Sequence, residues 1–293
     1  MLLKHYLRRT LKNNLSNFWL QFLSRIRFLL EKDPTGIRRV EPPKGYELAF
    51  EDDFRGTDLN SEEWRYGHPW GFFHPDQLWW YWSKDATEFS GDSIVLKNRY
   101  LPKEIYKKDL PHWQQLPDLP EEFTLPWASG LISSKRSFKF GWIEAEIKLP
   151  LEKMQWSAFW LGGKDTWPPE IDIFEAYTED NEEDISLRPN IHWGIAGTWR
   201  DGKKDYGAPR IFIKSPEKRF VQYAIHWTDK FINFYFDGQL VQVTNNKEML
   251  DDNSQEQYII LNNGLQEPKD GKIATEGMME VRNLRVYQEM KAH

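Results

Sequence analysis

The sequence predicts an all-β protein, an antiparallel β-sandwich or barrel, with one amphipathic helix at its N-terminus. Three observations lead there. The apolar period changes from 3.6 residues to 2 at Tyr46. Beyond that point, short alternating runs follow one another with turn residues between them. The chain has 293 residues, enough for one large domain or two small ones with a sizeable core, and no cysteine to staple a smaller one. Its 15 Trp, 12 Tyr and 18 Phe sit in a chain of mean hydropathy −0.72, a combination suited to contact with something flat and apolar. No run of about 18 apolar residues occurs, so a conventional membrane span is not expected.

Residues 1–35 read as a basic helical segment. Leu15, Trp19, Phe22, Ile26 and Leu29 recur at steps of three or four and form one apolar stripe. Lys4, Arg8, Arg9, Lys12, Arg25 and Arg27 accompany no acid in the first 30 residues, which leaves the rest of the chain at −12 within a total of −6. Such a helix serves as a membrane-surface or partner-docking anchor, or packs on its own domain. Gln21, Ser24, Arg25 and Arg27 interrupt the apolar run a cleaved secretory signal needs. Residues 36–45, with Pro42, Pro43 and Gly45, read as a linker. The acidic body is a poor attractor for nucleic acid, which is set aside as a partner.

The strands then come in order. Gly141 to Pro150 alternates Ile143, Ala145 and Ile147 with Glu144, Glu146 and Lys148, as a strand with one wet face. Similar runs lie at Ile94 to Lys97, Ser157 to Leu161, Ile171 to Tyr177, Val221 to Trp227, Phe231 to Phe236 with a turn at Asp237 and Gly238, Tyr258 to Asn262, and Met279 to Tyr287. No glycine-rich phosphate loop, zinc-spaced His and Cys, or internal repeat interrupts them.

One of these strands carries three acids within six residues, Glu170, Asp172 and Glu175. On a regular strand Glu170 and Asp172 share a face, opposite Ile171 and Ile173, and Glu175 falls out of phase. One extra residue bulged near Phe174 returns Glu175 to the face of the other two. No lysine relieves the repulsion, so the acids' pKa values are pushed apart: one stays ionised while another holds a proton. A retaining glycosidase needs that arrangement, with two carboxyl groups about 5 to 5.5 Å apart. A solvated or cation-holding acidic face is the competing reading.

Glu-Ile-Asp-Ile-Phe-Glu at 170–175 resembles the catalytic motif of glycoside hydrolase family 16 in its bulged form. Other stretches extend the match: Phe50 to Gly56 through Trp64, Ser129 to Ser134, Phe140 to Pro150, Trp156 to Leu161, Tyr223 to Trp227, Phe236 to Gly238 and Val281 to Tyr287. Residues 46–288 are thereby identified as a family-16-like catalytic domain, with 289–293 as a tail. The resemblance implies a concanavalin A-like β-jelly-roll sandwich with a cleft for an extended β-glycan, cleaved internally with retention. It makes Glu170 the nucleophile, Glu175 the acid/base and Asp172 the carboxylate that orients and tunes the nucleophile. It also places His192 on the neighbouring strand, near the acids.

Substrate contacts are expected from Trp156 and Trp160, which share a strand face, and from Trp70 and Trp79 in the aromatic runs 68–74 and 77–82. Alternation separates Trp79 and Tyr81 from Trp80 and Trp82, so about half of the second run should face inward. Asn262 and Asn263 are further candidates for sugar hydroxyls, Asn263 among the expected site residues. No cofactor is required. Arg282 stands where members of the family often have an aspartate of a structural calcium site, which puts calcium in doubt. The acidic run 179–184 reads as a solvated loop, not a metal site.

A β-1,3- or mixed-linkage glucan is the expected substrate. The bulged motif also leaves agarase, porphyranase and carrageenase types open, as well as a bacterial surface glycan. A non-catalytic glycan-binding surface protein is the alternative from another class. A polymeric substrate points to the cell exterior or a cell or particle surface, although no clear signal peptide is present.

Overall fold

A computed structural model describes residues 37–74, 77–178, 184–194, 203–207, 211–214, 219–268 and 274–290. The helix expected over residues 1–35 lies outside them. Among the described residues the strands are β1 (Tyr46–Asp52), β2 (Trp64–Tyr66), β3 (Trp80–Trp82), β4 (Thr87–Phe89), β5 (Ile94–Tyr106), β6 (Glu122–Ser129), β7 (Leu131–Phe138), β8 (Gly141–Lys148) and β9 (Gln155–Gly163). There follow β10 (Glu170–Thr178), β11 (Asp184–Gly194), β12 (Lys203–Gly207), β13 (Ile211–Lys214), β14 (Val221–Trp227), β15 (Ile232–Phe236), β16 (Gln239–Thr244), β17 (Gln257–Leu265) and β18 (Gly277–Glu289). The last strand pairs Glu289 with Tyr46, one residue into the expected tail. A short helix, α1 (Lys247–Asp252), is capped by the Asn246 side chain, which accepts from the Glu248 and Met249 N–H groups.

The strands form two packed sheets, a jelly-roll sandwich. The ten-stranded sheet runs β16-β15-β14-β8-β18-β5-β6-β3, with β1 beside β18 and β4 beside β5. The eight-stranded sheet runs β12-β11-β10-β9-β17-β7-β2, with β13 beside β11. Among the described residues the parallel pairing is β3 with β6, and the other ladders are antiparallel. The expected turn at Asp237 and Gly238 joins β15 to β16 with both residues in the left-handed region, at φ 48° and 74°. That twist matches the flanking strands.

The core lies between the sheets. Ile143, Ala145 and Ile147 of β8, with Tyr223 and Ile225 of β14, meet Phe159 and Leu161 of β9 and Ile171, Ile173 and Phe174 of β10, all fully buried. Each large apolar side chain removed from water there contributes about 1.5–3 kcal/mol.

The outer face of β8 is not wet, contrary to the alternation reading. Glu144 and Glu146 are buried because residues 37–45 cross that face as a strap, not as a free linker. Arg39 pairs with Glu146, and the Val40 N–H and C=O bond the Gln222 amide at 2.8 and 3.1 Å. Gln222 and the Trp142 indole donate to Glu144 at 2.7 and 2.8 Å. A buried carboxylate persists only with such partners.

Candidate active site

The bulge expected near Phe174 is present. On β11, Asp172 faces Asn190 and Glu175 faces Arg188, so three residue steps on β10 span two on its neighbour. On β9 the irregularity falls between Asp172 and Phe174. Ile173 and Phe174 both turn into the core and are fully buried. Glu170, Asp172, Glu175 and Tyr177 are thereby left together on the outer face of the eight-stranded sheet.

Glu170 is 15% exposed at its side chain and accepts the Trp167 indole N–H at Oε2 (2.7 Å). Gly163 lets that segment fold back: a Cβ there would lie 2.3 Å from the Thr166 carbonyl, and its own N–H bonds the Pro169 carbonyl at 2.9 Å. His192 is the direct cross-strand partner of Glu170. Its Nε2 lies 3.2 Å from Glu170 Oε1, 3.3 Å from Asp172 Oδ2 and 3.2 Å from Asn190 Nδ2. The ring nitrogen thus sits at the junction of the two acids.

Burial pushes Glu170 up to about 8, and the Asp172 charge adds to it. His192 and the Trp167 bond oppose the shift, and Glu175 adds a smaller upward push. The acid face therefore holds a proton at neutral pH, as close carboxylates must. Glu175 accepts the Tyr177 hydroxyl at 2.8 Å and the Trp156 indole N–H at 3.2 Å, both at Oε1. Ala158 stands opposite Glu175 on β9, so no side chain beyond a methyl rises beside the acid on that strand.

Trp156 and Trp160 share one face, as the alternation required, and their pairing with Tyr177 and Asp172 makes it the face of the acids. The Trp160 N–H is held by Asn262 Oδ1 at 2.8 Å. Trp70 joins Trp160, Trp82, Tyr258 and Ile260 in an apolar cluster on the same face. The other expected contacts stand elsewhere. Asn263 pairs with Ser157, points between the sheets and is fully buried, bonded to Ser157 and Gln155. The residue that reaches the outer face is Asn262, because β17 alternates there without a bulge. The Trp79 N–H is committed to the Leu265 carbonyl at 3.0 Å and ties its loop to β17.

Sequence reasoning did not single out Trp167, Tyr177, Asn190 or His68. Tyr177 could have been found by carrying the alternation past the bulge. His68 packs against Trp70 and Trp160, with ring centroids 3.8 and 5.7 Å apart, and burial pushes it down to about 3, so it is neutral.

A family model described as glycosyl hydrolases family 16 matches residues 75–266, a span that includes all three acids and His192. The chain belongs to that family. Among curated proteins it is 26% identical over 216 residues to a glucan endo-1,3-beta-glucosidase of Niallia circulans, covering 70% of this chain and 30% of the relative. A beta-agarase of Phocaeicola plebeius is 28% identical over 182 residues, covering 59% of this chain and 55% of the relative. The chain thus spans less than two thirds of the length of these relatives. The laminarinase catalytic domain of Thermotoga maritima MSB8 has the same fold, with a TM-score of 0.62 at 19% identity over 85% of this chain and all of that domain.

The calcium site associated with this family does not fit the residues present. Arg282 Nε bonds Glu146 at 2.9 Å, its Nη1 bonds Asp92 at 3.1 Å, and the guanidinium lies over the Phe220 ring. A guanidinium held between two carboxylates offers no oxygen to a cation. Among the described residues, the grouping that could hold a metal is Glu170, Asp172 and His192, with donor atoms within 4.8 Å of one another. The Trp167 N–H already donates to Glu170 of that trio.

Proposed function

We propose that this family-16 chain is an endo-acting retaining glycosidase, with β-1,3- or mixed-linkage glucan as its substrate. The observation that carries the reading is the bulge in β10, which gathers Glu170, Asp172 and Glu175 on one face between the indoles of Trp156, Trp160 and Trp167. The activity named for the Niallia circulans relative supports glucan as the polymer. The likeness to a beta-agarase makes agarose its first competitor. A polymeric substrate supports action outside the cell or at its surface.

In the first step Glu170 attacks the anomeric carbon while the proton of Glu175 passes to the departing glycosidic oxygen, leaving a glycosyl ester on Glu170. His192 and Trp167 hold Glu170 in line and favour its charge, and Asp172 orients the His192 ring beside it. In the second step Glu175 takes a proton from water, whose oxygen bonds the same carbon as the ester breaks, and two inversions give retention. The indoles offer apolar faces to the C–H faces of the sugar rings.

The test is release of reducing ends from laminarin, mixed-linkage glucan, agarose, porphyran and carrageenan by wild type and Glu170→Gln, with sizing of the products. Cleavage of a glucan into short internal fragments, abolished in the variant, is expected. Cleavage confined to agarose or a sulfated galactan would move the substrate, and wild-type inactivity on every polymer would sink the glycosidase reading.

A further inference from the structure

Glu175 has an asymmetric environment: among the described residues, its two hydrogen bonds end on one oxygen. Tyr177 Oη donates to Oε1 at 2.8 Å and Trp156 Nε1 donates to the same atom at 3.2 Å. Two strands build this arrangement in register, since Tyr177 of β10 is the cross-strand partner of Trp156 of β9. Their rings lie nearly parallel, with centroids 6.0 Å apart and planes at 13°. Trp80 packs edge-on against Trp156 at 6.3 Å. Gly264 makes room for that indole, because a Cβ there would lie 3.0 Å from the Trp80 ring. The charged groups that share the face with Glu175 are Glu170 and Asp172 on its own strand, and Arg188 and His192 on β11.

We propose that Tyr177, together with Trp156, is a positioning residue for the acid/base: two donated bonds fix the Glu175 carboxyl plane and confine its transferable proton to Oε2. The inference rests on the glycosidase reading given above. An indole N–H can only donate, so a proton on Oε1 would point at a hydrogen that cannot turn away. Burial, and the neighbouring Glu175 charge, push the Tyr177 phenol far above its ordinary range, so it keeps its hydrogen through neutral pH. In the first step the proton leaves Oε2 for the glycosidic oxygen as the C–O bond breaks and the bond to Glu170 forms. The new carboxylate charge then rests against two donors already in place. In the second step Oε2 receives a proton from water while the ester bond to Glu170 breaks.

Tyr177→Phe removes the hydroxyl and keeps the ring stacked on Trp156. The readout is kcat/KM on two aryl β-laminaritriosides. One carries phenol, which needs a proton to leave, and the other carries 2,4-dinitrophenol, which does not. The loss on the phenyl glycoside should exceed the loss on the dinitrophenyl glycoside by about tenfold or more, a fraction of the full worth of a general acid. Trp156→Phe, which removes the second donor, should show the same discrimination, and thermal melting of each variant monitors folding. Equal losses on both glycosides, or none on the phenyl one, would overturn the inference while leaving the glycosidase reading intact. A wild-type chain inactive on both glycosides would overturn the glucan reading and the inference with it.

Discussion

Glu170 carries a cost that pH exposes. Its carboxyl is raised from 4.5 to about 8, first by burial and then by Asp172. Between those values the folded chain binds more protons than the unfolded chain, so this group's contribution to stability falls as pH rises through the window. Replacing it with an uncharged isostere removes that dependence. Melting of Glu170→Gln beside wild type should show the variant gaining on the order of 3 kcal/mol between pH 5 and pH 9. Parallel melting curves across that range would show that Glu170 does not carry the shift. For catalysis Glu170 must be ionised to attack, so kcat/KM for glucan should rise as pH approaches about 8. A rate already flat between pH 5 and pH 8 would contradict the raised carboxyl.

The bulge is the element that turns an ordinary half-buried strand into one with three carboxylates on a single face. Ile173 is the residue left out of the register with β9, and Phe174 beside it points to the other sheet and packs on Tyr223 at 4.5 Å and on Phe236 at 6.4 Å. Burial of this side chain holds Glu175 in phase with Glu170, since Ile173 and Phe174 both occupy the core side. Phe174→Ala should cost about 3–5 kcal/mol in denaturant unfolding, and with it much of the order of the acid face. A loss below about 1 kcal/mol would mean that the bulge is held by something else. The alternation of Ile171 and Ile173 with Asp172, and the six-residue span of acids, made this device legible without coordinates. The position of Asn263 was not legible, because two adjacent asparagines look alike until strand pairing decides which one faces outward.

At the scale of the whole molecule, the strap over residues 37–45 lies on the ten-stranded sheet, while the acids lie on the opposite outer face of the sandwich. We propose that residues 1–30 dock the enzyme to a membrane surface or partner. Removing residues 1–35 should leave glucan cleavage unchanged and abolish that association, and unchanged partitioning with vesicles or particles would sink the idea. Cutting further, to residue 46, removes Arg39 from buried Glu146 and Val40 from Gln222. That longer truncation should lose about 2 kcal/mol relative to the shorter one in denaturant unfolding, because buried polar groups are left without partners. Equal stability of the two would show that the strap adds nothing.

Period and composition by themselves determined the class of fold, the places of several strands and the face shared by Glu170 and Asp172, because side-chain direction along a strand follows from local geometry. Contacts between residues distant in the chain were decided only by tertiary structure. Three of these show the limit: Arg39 against Glu146, Arg282 between Glu146 and Asp92, and Trp167 folded back onto Glu170. The apparently wet face of β8 belongs with them, since Glu144 and Glu146 look solvated until a strap 100 residues upstream covers them. Burial depends on what the rest of the chain brings alongside, and an alternating pattern does not record its partners.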